Sequence, residues 1–202
     1  MSKHSLTVAA CVLAAGQSAR MGEANKLLAT LNGKTLLQHV LNSLQCSRID
    51  EICVITGYQS GQVSESISAF DVKLVTNEAC SCGLSTSIRT GVENLSEHID
   101  GVLICLGDMP FVSTYTINKI VAAFKSSGEI IVPTCLGQDG NPLLWPKPYF
   151  DKLMNLKGDR GAKYLLKEYP EQVNRLDVEN IGIVLDVDDT QTLEFLRSKF
   201  NI

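Results

Sequence analysis

Near its N-terminus the chain carries the stretch VLAAGQSARMGEANKLL, residues 12–28, in which an apolar run changes abruptly into a small polar loop. The apolar run over residues 7–15 is rich in Val, Ala and Leu, which predicts a buried β-strand. The loop that follows begins at Gly16 and carries two cations, Arg20 and Lys26. Backbone N–H groups at such a strand end, together with a guanidinium and an ammonium, can bind phosphate oxygens. The alternative is a tight turn with two solvated cations.

Strand-like and helix-like patterns alternate along the rest of the chain. Further short buried strands are predicted at residues 51–56, 72–76, 101–106 and 130–133. Helices are predicted at residues 35–46, 61–68, 84–95, 114–125, 148–153, 161–169 and 190–200. Strands separated by helices of this length indicate βαβ units and a mainly parallel sheet with helices on both faces. Ligands of such sheets bind at the carboxyl ends of the strands, so the loops there are the places to look for function.

Composition limits the classes of function. With 202 residues, 45% hydrophobic and 20% charged, and without a linker or repeat, we predict a single domain over residues 1–202. A net charge of −4 gives no electrostatic case for nucleic-acid binding, which usually requires a basic face, and no apolar run is long enough to cross a membrane. The seven cysteines contain no Cys-x-x-Cys pair and imply no disulfide framework, which predicts a cytoplasmic protein.

Three further segments carry candidate functional residues. Residues 77–91, NEACSCGLSTSIRTG, place small and hydroxyl side chains before a predicted helix, which is also what ordinary helix capping requires. Asp108 closes a predicted buried strand and can direct a carboxylate into the ligand crevice, or form a simple Asx turn. Asp186 and Asp188 alternate on an extended segment, so their carboxylates can face one hard cation. They can equally provide an acidic start to the last helix, a role that we expect Asp189 to take.

Taken in order, these motifs resemble those of the MobA-like nucleotidyltransferases, molybdenum cofactor cytidylyltransferases in particular. Residues 13–28 match Leu-Ala-Ala-Gly-x-Ser-x-Arg-Met-Gly followed by Lys-Leu-Leu, and residues 107–110 match Gly-Asp-Met-Pro. Residues 77–91 follow Asn-Pro-x-x-x-x-Gly-Leu-Ser-x-Ser-Leu-Arg-x-Gly, with Glu78 in place of Pro and with Cys80 and Cys82 before the first Gly. Residues 140–144 resemble Gly-Asn-Pro-Val-Leu. Residues 158–163 resemble Gly-Asp-x-Gly-Ala-Arg, with Lys163 in place of Arg.

The resemblance implies an α/β fold, a three-layer α/β/α Rossmann-like arrangement with a mainly parallel mixed sheet of about seven strands. It implies catalytic roles for Arg20, Lys26 and Asp108, and a metal site for Mg²⁺ at Asp108, Asp186 and Asp188. The nucleotide-binding residues that it implies are Leu13, Ala14, Ala15, Gly16, Arg20, Lys26, Asn77, Gly83 and Ser87. The acceptor-binding residues that it implies are Ser85, Arg89, Asn141, Pro142, Asp159 and Gly161.

The reaction implied by the resemblance is transfer of a nucleoside monophosphate from a nucleoside triphosphate to molybdopterin or a related phosphate-bearing acceptor. The guanylyl-transferring relatives carry a Gly-Pro-Leu-Ala-Gly string that is missing here, which favours CTP over GTP. A molybdenum hydroxylase apoenzyme would then be a further partner. Two other functions stay open: a binding protein that delivers the molybdenum cofactor without chemistry, and a metal-dependent transferase acting on sugar nucleotides.

Overall fold

Strand β1 (Val8–Ala14) lies in the middle of the fold, and all seven of its side chains are buried. The computed structural model describes residues 5–16, 25–188 and 191–194. Because β1 has a strand on each side and a helical layer on each face, its Ala, Val, Cys and Leu residues all pack against protein. The continuous apolar run of the sequence is thus that of a central parallel strand.

Nine other strands and five complete α-helices are present in the described residues, and residues 191–194 are also helical. The strands are β2 (Thr30–Leu31), β3 (Lys34–Thr35), β4 (Glu51–Thr56), β5 (Lys73–Thr76), β6 (Gly101–Leu106), β7 (Ile130–Cys135), β8 (Gln138–Asp139), β9 (Leu143–Pro146) and β10 (Val173–Asp177). The helices are α1 (Leu36–Gln45), α2 (Ser60–Ser66), α3 (Leu84–Glu93), α4 (Thr114–Ser127) and α5 (Phe150–Met154). Short 3-10 turns include Lys26–Leu28, Cys80–Cys82, Ala162–Glu168 and Ile181–Val184.

The main sheet contains eight strands in the order β10-β7-β9-β6-β1-β4-β5, with β8 paired to β7. Strands β6, β1, β4 and β5 are mutually parallel, and β10 is parallel to β7. Strand β9 runs antiparallel to both of its neighbours. Strands β2 and β3 form a separate small hairpin. The predicted α/β fold with a mainly parallel mixed sheet is therefore confirmed.

Two apolar cores cover the faces of the sheet. Alternate residues of β1 point to opposite faces, so Val12 packs among residues of α1 and α4, whereas Cys11 packs among residues of α3 and α5. Helix α3 approaches β1 closely at Gly91, where a Cβ would lie 2.1 Å from the Cys11 Sγ. The close approach fixes α3, whose N-terminus reaches the carboxyl ends of the strands.

Helix boundaries follow local signals. Helix α1 begins after Thr35, whose side chain accepts a hydrogen bond from the Gln38 N–H while the Gln38 side chain accepts from the Thr35 N–H. Ser113 caps α4 by accepting a hydrogen bond from the Thr116 N–H at 3.2 Å, and Gly128 ends α4 in the left-handed conformation. None of the helices in the described part of the chain is both long and apolar enough to span a bilayer.

Strands β2, β3, β8, β9 and β10 were not predicted from the sequence. Strand β9 is a four-residue apolar run ending in Pro146, too short to distinguish from a helix segment. Strand β10 carries polar residues because it lies at the sheet edge. The predicted helix at residues 161–169 is a 3-10 turn, Ala162–Glu168. Of the helix predicted at residues 190–200, residues 191–194 are helical and the others lie outside the described residues.

Candidate active site

The loop that follows β1 begins at the carboxyl edge of the sheet. Leu13 and Ala14 are buried, so their side chains belong to the core and only their backbone lies near the loop. The Leu13 carbonyl accepts a hydrogen bond from the Gly107 N–H at 3.1 Å, which joins the end of β1 to the end of β6. Gly107 has no room for a side chain there, because a Cβ would lie 3.0 Å from the Leu13 oxygen. Arg20 lies outside the described residues.

Lys26 is held in place by Asn25. The Asn25 side chain is buried and its Oδ1 accepts from the Leu27 N–H at 3.1 Å, which caps the 3-10 turn Lys26–Leu28. Leu27 packs into the core beside Gly107, so the turn is anchored on its apolar side. The Lys26 side chain is directed to the opposite side, toward the strand ends.

Three predicted site residues meet at this point. The Lys26 Nζ lies 2.5 Å from Asp108 Oδ2 and 2.6 Å from Asp188 Oδ1. The Lys26 and Asp108 side chains are 17% and 15% exposed, so this contact is largely shielded from water, whereas Asp188 is 41% exposed. Burial alone would lower the pKa of Lys26, but the charges and hydrogen bonds of Asp108 and Asp188 outweigh it and raise that pKa. Lys26 is therefore firmly protonated.

The acidic segment at residues 186–188 is fixed by the residue between the two carboxylates. Val187 is fully buried in a small cluster with Leu31 and Leu36, and its N–H donates to the Asp108 carbonyl at 3.0 Å. Because an extended segment alternates its side chains, burying Val187 turns Asp186 and Asp188 outward. Partial burial and the neighbouring charges of Asp188 and Asp108 raise the pKa of Asp186. Such mutual repulsion of carboxylates is relieved by a cation.

The candidate metal ligands are of the chemical type that Mg²⁺ prefers. Asp108, Asp186 and Asp188 supply hard carboxylate oxygens at one edge of the sheet, the ligand type that Mg²⁺ takes. In the described residues no three His, Cys, Asp or Glu side chains are grouped closely enough to form a complete metal site by themselves. A complete protein cage is not required, because Mg²⁺ commonly takes one or two carboxylates and completes its shell with water and substrate phosphates.

One cavity of about 270 Å³ opens beside the β1 loop. Its walls bring together four of the residues predicted to bind nucleotide, namely Ala15, Gly16, Gly83 and Ser87. The cavity is also lined by Cys80, Ser81 and Leu84, and by Asp159, which was predicted to bind the acceptor. The structure thus places Asp159 with the nucleotide-side residues. We call this space the β1-side cavity.

Asn77 shapes the β1-side cavity from behind. Its side chain is buried, donates to Thr86 Oγ1 at 2.8 Å and to Ser87 Oγ at 3.0 Å, and accepts from the Ala79 N–H at 3.0 Å. These three bonds fold the segment that runs from β5 into α3. Asn77 therefore positions Ser87 and the Cys80–Cys82 turn, and its polar atoms are already engaged within the protein.

Gly83 allows two loops to meet at the start of α3. Its φ of 106° and ψ of 168° are almost confined to glycine, and a Cβ would lie 2.4 Å from the Gly158 carbonyl carbon. The next residues continue the contact, since the Ser85 N–H donates to the Gly158 carbonyl at 3.1 Å. Ser85 is buried, and Gly161 packs against Leu84. Ser85 and Gly161 therefore support the wall of the cavity.

A second cavity of about 250 Å³ has Asp186 of the acidic segment in its wall. Asp186 and Asn141 line it together with Gln138, Asp139 and Lys163. The Asn141 N–H donates to the Ile183 carbonyl at 2.8 Å, and the Asn141–Pro142 peptide bond is cis. Pro142 lines a small internal space instead. We call this larger space the Asp186-side cavity.

Arg89 is the predicted acceptor residue that the structure separates from the others. It is exposed, and its Nε donates to the carbonyl of Met154 at the end of α5 at 2.9 Å. The sequence interpretation also missed residues that line or support the two cavities. These are Asn25, Gln138 and Asp139, whereas Cys80 and Lys163 had been noted only as departures from the family motifs. Only Asn25 had a usable signal, because Asn before an apolar turn is a favoured cap.

Comparison with known proteins gives close matches along nearly the whole chain. The molybdenum cofactor cytidylyltransferase of Escherichia coli K12 is 30% identical over 196 residues, covering 94% of both chains. The purine catabolism protein PucB of Bacillus subtilis 168 is 28% identical over 194 residues, covering 92% of this chain and 93% of PucB. The chain matches only about a quarter of the length of another relative, the bifunctional protein GlmU of Staphylococcus saprophyticus (32% identical over 122 residues, 26% of GlmU).

Among solved structures, Rv0371c from Mycobacterium tuberculosis H37Rv superposes with a TM-score of 0.84 at 25% identity, covering 96% of this chain and 100% of that one. A family model described as the MobA-like NTP transferase domain matches residues 10–173, which include the β1 loop, Asp108 and most of both cavities. On the sequence motifs, the fold and these matches, the chain belongs to the MobA-like NTP transferase family.

Proposed function

We propose that this protein is a Mg²⁺-dependent nucleotidyltransferase that transfers CMP from CTP to a phosphate-bearing acceptor of the molybdopterin type and releases pyrophosphate. The observation that carries the proposal is the cluster of Lys26, Asp108 and Asp188 at the carboxyl edge of the sheet. The β1 loop lines a cavity of about 270 Å³, and Asp186, two residues before Asp188, lines one of about 250 Å³. A cation flanked by carboxylates, with two cavities for ligands at the same edge of the sheet, suits the joining of two anionic substrates.

The chemistry requires positioning and neutralisation of charge. A phosphate oxygen of the acceptor attacks the α-phosphorus, and the bond from that phosphorus to the pyrophosphate oxygen breaks. No general base is needed, because the attacking phosphate is already ionised. The Lys26 ammonium would stabilise charge on the α-phosphate, and Arg20 would bind the departing pyrophosphate. Mg²⁺ held by Asp108 and by Asp186 or Asp188 would add charge neutralisation at the phosphates.

Each substrate has a candidate position. We assign the nucleoside triphosphate to the β1-side cavity, where Ala15 and Gly16 offer backbone without bulk and the buried Ser87 hydroxyl lies in the wall. We assign the acceptor to the Asp186-side cavity, where Asn141 and Lys163 offer polar groups to a phosphate-bearing ligand. In-line transfer would then take place between them, beside Lys26.

The finer assignments rest on the relatives. A cytidylyltransferase is among the relatives that match almost the full length, and its name supports CTP and the molybdenum cofactor. By the same reasoning a molybdenum hydroxylase apoenzyme is the proposed recipient of the product. The seven free cysteines fit the reducing cytoplasm.

The decisive experiment measures pyrophosphate release from CTP, GTP or ATP with Mg²⁺, with and without molybdopterin. We expect release that depends on the acceptor and is fastest with CTP. Acceptor binding without any pyrophosphate release would contradict transfer and would favour a delivery protein. Nucleoside diphosphate release from a sugar nucleotide would instead favour a sugar transferase.

A matched pair of variants tests the metal assignment. Asp108→Asn keeps the shape of the side chain but removes the charge that would hold Mg²⁺, so turnover should fall at least about 100-fold. Asp177→Asn makes the same change at the exposed end of β10 and should leave turnover unchanged. Near wild-type release by a folded Asp108→Asn protein would show that the metal assignment is wrong.

A further inference from the structure

A third cavity, of about 300 Å³, lies away from the acidic cluster, between α5, the loop over residues 157–160 and the 3-10 turn Ala162–Glu168. The cations Lys152, Lys157 and Arg160 line it, and Glu168 is the one carboxylate among the described residues of its wall. Buried Leu156 and Leu165 also line it. We call this space the cationic cavity. Its volume is at the lower end of the range typical of small-molecule sites.

The cations of this cavity form no ion pair with the described part of the chain. In residues 5–16, 25–188 and 191–194, no carboxylate oxygen lies within the 4.0 Å ion-pair distance of the side-chain nitrogens of Lys152, Lys157 or Arg160. The whole chain carries a net charge of −4, so this excess of positive charge runs against the overall balance. Cations gathered around a concave surface attract anions more strongly than the same cations scattered over a convex one.

One of the cations is oriented by an aromatic ring. The Arg160 guanidinium carbon lies 4.3 Å from the centre of the Tyr164 ring, a cation–π contact. Stacking limits the rotamers of an otherwise flexible side chain, so less entropy is lost when its N–H groups bind a ligand. A planar guanidinium fixed in this way is suited to a bidentate contact with phosphate oxygens.

The loop that carries two of these cations also forms part of the β1-side cavity. Gly158 packs against Gly83 and accepts from the Ser85 N–H, and Asp159 lines the β1-side cavity. Lys157 and Arg160, on either side of them, line the cationic cavity. This short loop thus borders two separate cavities, and the cationic cavity shares no described lining residue with the two cavities assigned to the substrates.

We propose that the cationic cavity binds a phosphate monoester, held by Arg160, Lys157 and Lys152. The proposal is independent of nucleotidyl transfer, since it rests on the charge and shape of a different surface. Two sources offer the same chemistry, a soluble organic phosphate or a phosphate-bearing lipid headgroup, and the experiment distinguishes them.

The test follows backbone amide signals by NMR while glycerol 3-phosphate is added, with EDTA present and with ionic strength held constant by sodium chloride. Saturable shifts should appear at residues 157–165. The double variant Lys157→Ala, Arg160→Ala should bind at least about tenfold more weakly. Lys119→Ala is the matched control, because Lys119 lies over Tyr115 at 4.9 Å on the exposed surface of α4 and should leave binding unchanged.

Each outcome decides the proposal. Shifts that do not saturate, that appear equally with chloride, or that survive in the folded double variant would overturn it. Co-sedimentation with phosphatidylcholine vesicles containing phosphatidic acid, lost in the double variant, would support the site and assign the phosphate to a lipid. Binding of glycerol 3-phosphate without vesicle binding would support the site and assign the phosphate to a soluble ligand.

Discussion

Lys26 connects segments of the candidate active site that are far apart in the sequence. It is close in sequence to the β1 loop, yet its ammonium contacts carboxylates that are 82 and 162 residues farther along the chain (108 − 26 and 188 − 26). Asn25 caps the turn that carries it, and Val187 directs Asp188 toward it. At the residue scale, the candidate active site is an ion-pair cluster whose members are each held by a neighbour with a purely structural role.

Replacing Lys26 by Met should affect stability and turnover together. Asp108 and Asp188 would face each other without a counter-ion, so we expect unfolding free energy to fall by about 1–2 kcal/mol, a partly exposed pair being worth less than a buried one. Turnover should fall at least about 100-fold. Urea denaturation and the pyrophosphate assay measure the two effects. Lys34→Met, at an exposed cation of β3, is the control and should change neither.

The pH dependence of this stability difference has a definite sign. The pKa of Lys26 is raised in the folded protein above its ordinary value of 10.5. The stabilisation is therefore fully present below pH 10.5 and is lost as the pH rises through the folded pKa. On the alkaline side, the difference between wild type and Lys26→Met should stay constant up to pH 10.5 and shrink above it. A difference that disappears near neutral pH would contradict the ion-pair explanation.

Cys80 gives a chemical probe of nucleotide binding. Its side chain is half-buried in the wall of the β1-side cavity, whereas Cys46 is exposed at the end of α1. With saturating CTP and Mg²⁺, we expect alkylation of Cys80 by iodoacetamide to slow at least about tenfold, since the ligand would cover the thiol. Peptide mass spectrometry follows both sites, and Cys46 should react at the same rate with or without nucleotide. If CTP left the alkylation rate of Cys80 unchanged, or slowed both cysteines equally, the result would argue against nucleotide in this cavity.

Buried cysteines supply an internal reference for the same experiment. Burial raises the pKa of the Cys53 thiol to about 11, and it raises that of Cys105 further. Because the thiolate is the reactive form, both should stay unmodified in the folded protein at pH 8.

At the scale of elements, the start of α3 is where the segments that form the β1-side cavity come into contact. The Cys80–Cys82 turn, α3 and the loop over residues 157–161 meet there, and Gly83 makes the contact possible because it has no side chain. Asn77 ties the incoming segment to α3 through Thr86 and Ser87. The wall of the β1-side cavity therefore consists of segments that are distant in sequence and are held together by a few hydrogen bonds.

Gly83→Ala should separate these segments. The added methyl would collide with the Gly158 backbone, and residue 83 would have to keep a backbone conformation almost confined to glycine. We therefore expect the free energy of unfolding to fall by about 2–3 kcal/mol and nucleotide binding to weaken. Gly128→Ala is the control: its φ is 72° and nothing lies within 4 Å of the new Cβ. In the control variant the free energy of unfolding should fall by only about 1–2 kcal/mol, and nucleotide binding should be normal. Similar binding defects in both variants would show that backbone strain, not the contact with Gly158, is responsible.

For the whole molecule, one sheet runs through the described residues and carries an apolar core on each face. The loops after β1, β5 and β6 leave the sheet at the same edge because these strands are parallel. The segment before residue 188 lies beside these loops. This continuity supports the proposal that residues 1–202 form a single domain. The stability of the site therefore depends on the packing of the sheet beneath it.

Leu103→Ala measures that dependence. Leu103 is fully buried in β6, five residues before Asp108, and removing its methyl groups should cost about 2–5 kcal/mol. Leu136→Ala makes the same substitution at a side chain that is 87% exposed and should change stability by about 0.5 kcal/mol or less. Urea denaturation of the two variants gives the comparison. A small effect at Leu103 would mean that this core does not support the sheet as described.

The sequence by itself determined the α/β class, the buried central strand and the motifs of the site, because these depend on patterns over neighbouring residues. Hydrophobic runs and caps are local, so β1, β4, β6 and the starts of α1 and α4 could be predicted from them. The site residues Lys26 and Asp108 were recognised because short motifs carry them.

Only the tertiary structure decided which residues meet. Strand β9 was missed because a four-residue apolar run acquires its antiparallel partners, β6 and β7, from distant parts of the chain. Asp159 lines the β1-side cavity because the packing of Gly158 against Gly83 sets the position of its loop. Arg89 contacts the carbonyl of Met154 because α3 and α5 pack side by side on the same face of the sheet. Motif spacing carries no information about such packing, since side-chain contacts between distant segments depend on shape in three dimensions.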